Sequence, residues 1–253
     1  MRSSPPQSLV TLGLPPTPEL VATEVAQVDV DGPNPALLVS AAVTRVRRAD
    51  AADAEPLAAV LGRAFANNPF VRWIVPDDGH YASIATEFFR LGVDRELADG
   101  EVYTTADHAG AALWLPPEST PPGTVEQFRV GRRLLSILGR RTLVGARALD
   151  TFERRRPERE HWYLTVLGTE PDRQGQGVGG TLLQPILERC DRTGVAAYLE
   201  SSDPANVDYY RRFGFRTTGA IEFRGGPTVP LMLREPRAES SGSGPLLFSP
   251  KIY

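Results

Sequence analysis

The residues best suited to chemistry lie between His161 and Tyr210. From His161 to Gly180 the chain reads HWYLTVLGTEPDRQGQGVGG. Trp162, Leu164 and Val166 alternate with Tyr163, Thr165 and Leu167 as the two faces of a strand do, and Pro171 and Asp172 end it. Past the glycines the period changes, with Leu182, Leu183, Ile186, Leu187 and Cys190 recurring at helical spacing. Gly175 to Gly180 therefore stand at a helix start. Backbone N–H groups there lack partners and the macrodipole is positive, which suits a phosphate or pyrophosphate. Further on, Glu200 interrupts the apolar run Val195 to Leu199 near a strand end. A carboxylate in that place is unusual unless paired or used. Partial burial would raise its pKa towards that of a general base, and orienting a substrate or pairing with an arginine is the other reading. Asn206 and Tyr210 are four apart on a helix opened by Asp203 and Pro204, so both can face one ligand, with Tyr209 pointing elsewhere.

Three ligand classes compete for the glycine turn. A Walker loop needs lysine followed by Ser or Thr at the helix start, and Thr181 follows Gly180 with no lysine near. Gly175, Gly177 and Gly180 do spell the dinucleotide fingerprint, with Glu200 about twenty residues on. That fold places its first glycine at the strand end, whereas Glu170 to Gln174 intervene here. Roughly seventy residues remain after Gly180, too few for a series of βα units. The third ligand is acyl-coenzyme A. Gln174-Gly175-Gln176-Gly177-Val178-Gly179 resembles the Q/R-x-x-G-x-G/A signature of the GNAT superfamily of N-acetyltransferases. Ala196 to Ser201 reads as the next strand, and Asn206-x-x-x-Tyr210 followed by Gly214-Phe215 is similar to that superfamily's fourth helix. The likeness is strong from Trp162 to Pro236 and vaguer from Thr44 to Glu160, the half that shapes the acceptor pocket in the superfamily.

The resemblance implies acetyl-CoA as co-substrate, held by Gln174, Gly175, Gln176, Gly177, Val178, Gly179 and Gly180 at the pyrophosphate, with Gly177 and Gly179 permitting close backbone approach. Leu167, Gly168 and Thr169 would pair with the pantetheine arm like an added strand, Gly168 marking a bulge where two strands splay. Asn206 would steady the pantetheine, and Tyr210 would protonate the departing thiolate. Trp162, Phe70 and Trp73 are candidates for the acceptor pocket, although large aromatics are more often core.

Elements that could position these groups follow from pattern. Thr44 to Arg47 reads as a short strand, and Asp50 or Asp53 as the cap of a helix carrying Leu57, Val60, Leu61, Ala64 and Phe65. Tyr81 to Leu97 is a second helix with Ile84, Phe88 and Leu91 inward. Glu101 to Thr105 and Ala109 to Leu115 form a hairpin turning at Asp107 to Gly110. A proline-rich loop then leads to one long helical region, about Thr124 to Glu153, whose apolar side holds Leu134, Leu135, Leu138, Leu143 and Val144. Its many arginines read as a solvated face, since Lys251 is the only lysine and arginine is simply the usual base of this chain.

Composition excludes several classes. With 253 residues, 41% hydrophobic content and a net charge of −3, the chain suits one substantial domain and offers no broad attraction to nucleic acid or anionic membrane. Cys190 is the single cysteine and sits on an apolar helix stripe, where packing is the natural role. His80, His108 and His161 share no ligand spacing, so no metal is expected. Residues 1–43, rich in proline, read as a flexible leader, and 237–253 as a flexible tail; neither a secretory signal nor a membrane span is legible, which points to the cytoplasm. The expectation is one α/β domain over 44–236, a GNAT-like mixed, mostly antiparallel twisted sheet flanked by helices. It moves acetyl from acetyl-CoA to an amine of a small molecule by direct attack in a ternary complex, with no nucleic-acid or membrane partner. A catalytically silent acyl-CoA sensor is the alternative, which needs the glycine turn without Tyr210 or a base.

Overall fold

The computed structural model describes residues 45–75, 79–119 and 124–237; the leader and most of the tail lie outside them. Seven strands form one sheet in the order β1-β2-β3-β4-β5-β7-β6. They are β1 (Val46–Arg48), β2 (Glu101–Thr105), β3 (Gly110–Leu115), β4 (His161–Thr169), β5 (Ala196–Glu200), β6 (Arg216–Glu222) and β7 (Thr228–Arg234). Every pairing is antiparallel except β4 with β5. The helices are α1 (Ala54–Ala64), α2 (Pro69–Ile74), α3 (Tyr81–Asp99), α4 (Thr124–Leu138), α5 (Thr142–Arg155), α6 (Val178–Thr193) and α7 (Val207–Arg211).

The sheet separates two cores. On one face α6 lays Val178, Leu182, Leu183, Ile186, Leu187 and Cys190 against Trp114, Trp162, Leu164, Ala197 and Leu199. Cys190 is fully buried and its thiol is pushed up to about 12 by burial, so it packs and does not react. On the other face α1, α2 and α3 bury Leu57, Leu61, Val71, Ile74, Phe89 and Val93 against Val102, Ala111 and Leu113. Asp50 caps the first turn in a reciprocal box with Asp53, which sequence reading had placed correctly at that helix start. Asp53 is 5% exposed and also takes both guanidinium nitrogens of Arg47 and a bond from His108, tying β1 and the β2–β3 turn to α1. Arg234, buried at the end of β7, holds Asp191 of α6 at 2.7 and 2.8 Å and donates to the Phe213 carbonyl.

Two expectations shift by local geometry, and one short helix is added to them. The fully buried stripe of α3 is Ala85, Phe89, Val93 and Glu96, with the expected Ile84 and Phe88 packed partly buried beside it and Leu91 half-buried. Residues 69–74 form a helix because Asn68 accepts from the N–H groups of Phe70 and Val71 and Pro69 takes the first helical position. The region 124–155 is two helices, broken where Gly139 turns at φ 53°. The break divides the apolar stripe, so Leu138 is buried while Leu135 and Leu143 stand exposed.

The feature that positions the site is in β4. Leu113 pairs with Val166 and Trp114 with Leu164, so Thr165 is an extra residue, a bulge. The bulge turns every later side chain over: Leu167 joins the α6 core with Trp162 and Leu164, and Val166 joins the opposite one. Gly168 is not the bulge. A Cβ there would lie 2.6 Å from Leu61 and 3.0 Å from Phe65, so glycine is needed because α1 crosses the strand closely. Gly168→Val should therefore overpack this crossing and cost about 1–3 kcal/mol, read as a fall in Tm, whereas a role confined to coenzyme contact would leave Tm unchanged.

Candidate active site

Past the bulge the sheet forks. The β4–β5 ladder ends at Leu164 with Leu199, while β4 continues to Thr169, paired on its other side with β3. Among the described residues, main-chain groups of Thr165 to Thr169 facing β5 thus have no strand beside them, and Leu167, Gly168 and Thr169 line one arm of the opening. An extended chain can pair there as an added strand.

The glycine turn closes the far end of that arm. Gly175 and Gly177 hold φ of 76° and 87°, the left-handed region, with open space where a Cβ would be. Gly177 is the N-cap of α6, and the first helical bond is from the N–H of Thr181 to its carbonyl at 3.1 Å. The turn thus stands at a helix N-terminus, where the first backbone N–H groups lack intrahelical partners and the macrodipole is positive. The two glutamines brace the turn: Gln174 donates to the Thr169 carbonyl at 3.2 Å and Gln176 to the Asp172 carbonyl at 2.9 Å. Val178 is buried and anchors the helix start. Gly179 and Gly180 have a different reason to be glycine. The Tyr209 hydroxyl lies 2.6 Å from a Gly179 Cβ, and the Phe213 ring 2.9 Å from a Gly180 Cβ. Close packing of the α7 segment against α6 demands these two, so the backbone open to a pyrophosphate is that of Gly175 to Gly177. Tyr209 accordingly does not point away from the turn but seals its rear, its hydroxyl buried without a partner.

Tyr210 faces the α6 core, 9% exposed, its ring edge-on to Tyr209 and Phe215. Burial, then the neighbouring Tyr209, raises its phenol well above the ordinary value, so it carries its proton throughout the physiological range. Asn206 is exposed in the short 3-10 turn Pro204–Asn206 that leads into α7.

Glu200 ends β5 on the face opposite α6, among the hydroxyls of Tyr163 and Tyr198 and the Arg156 guanidinium. Its Oε1 is sealed and unpartnered. Burial pushes the carboxyl up, opposed by Tyr163, Arg156 and Tyr198. Arg156 lies 4.0 Å over the Tyr163 ring, which keeps a cation beside the acid without a direct ion pair to it. None of Arg156, Tyr163 and Tyr198 stood out in sequence as site residues; the alternation of 163 with 165 and of 198 with 200 is the signal that would have found the tyrosines. Beside them Phe70 and Trp73 stack with Phe152 and Phe223 at centroid distances of 5.1–5.9 Å, forming an aromatic wall to which the β6–β7 turn contributes. Trp162 does not belong to it. By strand alternation Trp162 faces α6, where Arg189 lies 5.1 Å over its ring.

A forked parallel pair, an anion-ready helix start on one arm and a carboxyl on the other define an α/β acyltransferase fold. The comparisons agree. A model of the Acetyltransferase (GNAT) family matches residues 112–215. An uncharacterized N-acetyltransferase of Schizosaccharomyces pombe is 30% identical over 210 residues, covering 77% of this chain and 84% of that protein. A structure described as histone acetyltransferase HPA2 and related acetyltransferase, from Corynebacterium glutamicum, superposes with a TM-score of 0.60 at 27% identity over 78% of this chain and 99% of the other. Arylalkylamine N-acetyltransferase 2 of Aedes aegypti shares the fold at a TM-score of 0.51 and 14% identity, covering 76% of this chain and 98% of that one. The chain belongs to the GNAT acetyltransferase family and is an enzyme of the N-acetyltransferase class. Acetyl-CoA is the co-substrate the family implies. No helix among the described residues is long and apolar enough to cross a membrane.

Proposed function

We propose that this enzyme acetylates the amine of a small molecule, acetyl-CoA and acceptor meeting at the β4–β5 fork in a ternary complex. The observation that carries the reading is the fork itself, with the open glycine turn on one arm and the unpartnered Glu200 oxygen at its base. Gly175 to Gly177 and the α6 N-terminus hold the pyrophosphate, and Leu167, Gly168 and Thr169 pair with the pantetheine, Asn206 steadying it from the turn that leads into α7. The amine loses a proton to Glu200, directly or through water, and its lone pair attacks the thioester carbon. Strand N–H groups near Leu167 polarise the carbonyl, and Tyr210 protonates the sulfur as the C–S bond breaks.

The acceptor side is walled by Phe70, Trp73, Phe152 and Phe223, which favours an amine on an apolar or aromatic body. WYLTVLGTEPDRQGQGVG, YLESSDPANVDYYRRFGF and Met232 to Pro236 resemble puromycin N-acetyltransferase, but they lie outside the half that shapes the acceptor pocket, so an antibiotic-like amine stands beside a metabolic and a peptide one. The domain is taken as 44–236, in the cytoplasm.

Incubation with acetyl-CoA and an amine library, following thiol release, tests the reading. Glu200→Gln should then lower kcat by roughly a hundredfold or more, the scale of a positioned base, with acetyl-CoA affinity unchanged by calorimetry. Full turnover in this variant would leave Glu200 as an orienting group.

A further inference from the structure

Past the last rung of the β4–β5 ladder, Thr165 is the next residue of β4 and Glu200 that of β5, and both side chains lie on the face away from α6. Behind Thr165, on α3, stands a second acid. Glu96 is 3% exposed, its Oε2 is sealed without a partner, and the proposed mechanism does not use it. An unpaired carboxyl in a core costs stability, so its retention calls for a use. Thr165 is its polar neighbour on the sheet, and the Thr165 hydroxyl donates to the Leu113 carbonyl at 3.2 Å, across the bulge.

We propose that Glu96 is a positioning residue for acetyl transfer, acting through the Thr165 hydroxyl to set the shape of the bulge at the fork. The proposal rests on the acetyltransferase reading of that fork. An ionised Glu96 draws the Thr165 hydroxyl to itself. A protonated Glu96 donates to Thr165, whose own proton then goes to the Leu113 carbonyl. The two arrangements hold the first unpaired peptide of β4 differently, next to the place where the thioester carbonyl must lie. Burial pushes Glu96 up to about 7, against Arg95 and Thr165 and with a small push from Asp99. Arg95 and Asp99 are on α3 itself; β4 presents Thr165, and Glu101 of β2 lies on the α6 side of the sheet, committed to Arg189 and Tyr103. The exchange therefore falls near neutral pH.

The experiment measures kcat against pH from 5.5 to 9 for the wild type, Glu96→Gln, Thr165→Val, Thr165→Ser and the double variant Glu96→Gln/Thr165→Val. Activity of the wild type should rise with pH through a step near 7. Glu96→Gln and Thr165→Val should each lose about tenfold at pH 8 and lack that step, the double variant should lose no more than either alone, and Thr165→Ser should behave as the wild type. A melting series supplies a readout apart from turnover. A folded-state pKa raised from 4.5 to about 7 adds stability below 4.5 that fades as pH rises through about 7, so Glu96→Gln should flatten Tm across that window. Wild-type kcat and an unaltered pH step in Glu96→Gln would overturn the proposal while leaving the acetyltransferase reading intact. A wild type that transfers acetyl to no amine would overturn both.

Discussion

Tyr210→Phe is expected to lower kcat roughly a hundredfold, about 2.7 kcal/mol of barrier, with KM for acetyl-CoA nearly unchanged. The substitution keeps the ring and its contacts with Tyr209 and Phe215 and removes only the proton that the sulfur needs as the C–S bond breaks. Burial holds this phenol protonated well beyond its ordinary range, so it adds no alkaline fall in kcat up to about pH 9 in the wild type. Steady-state kinetics of the two proteins across pH decides the matter; undiminished turnover in Tyr210→Phe would make the residue a core aromatic. Tyr209→Phe is the internal control, although the Tyr209 hydroxyl backs onto Gly179. It should keep full kcat and an equal or higher Tm, since it deletes a buried hydroxyl with no partner.

Gly177→Asp should abolish measurable acetyl-CoA binding. Two effects act together at this N-cap. The backbone sits at φ 87°, where a side chain costs about 1–2 kcal/mol, and a carboxylate placed among the free N–H groups repels the pyrophosphate. Gly177→Asn separates them, having the same shape and a similar tolerance of the left-handed region without the charge. Calorimetry should show a partial loss for Asn and a complete one for Asp, with Tm lowered by the same small amount in both, because they share the backbone strain and the Cβ meets nothing within 4 Å. Equal affinity of the Asp variant and the wild type would remove the turn from the coenzyme site.

The local signals in the C-terminal half were legible because they are carried by neighbours in sequence. The change from strand period to helix period across Gly175 to Gly180, the Asp203-Pro204 start and the strand opening at Ala196 each depend on a few adjacent residues, and the structure has them where the pattern put them. Together with the signature from Gln174 to Gly179, they were enough to reach the family. What depended on contacts between distant segments was not legible. The glycines at 168, 179 and 180 look alike in sequence, yet α1 demands the first and the α7 segment the other two. Trp162 and Phe70 were equal candidates until the sheet put them on opposite faces. The bulge at Thr165 had no mark of its own, because one inserted residue shows only against the partner strand that skips it. Glu96 was hidden because the apolar positions legible in sequence, Ile84, Phe88 and Leu91, mark the helix face without it. An amphipathic pattern locates a helix well but leaves its rotation to the packing, and only the packed sheet turned this carboxyl inward to the fork.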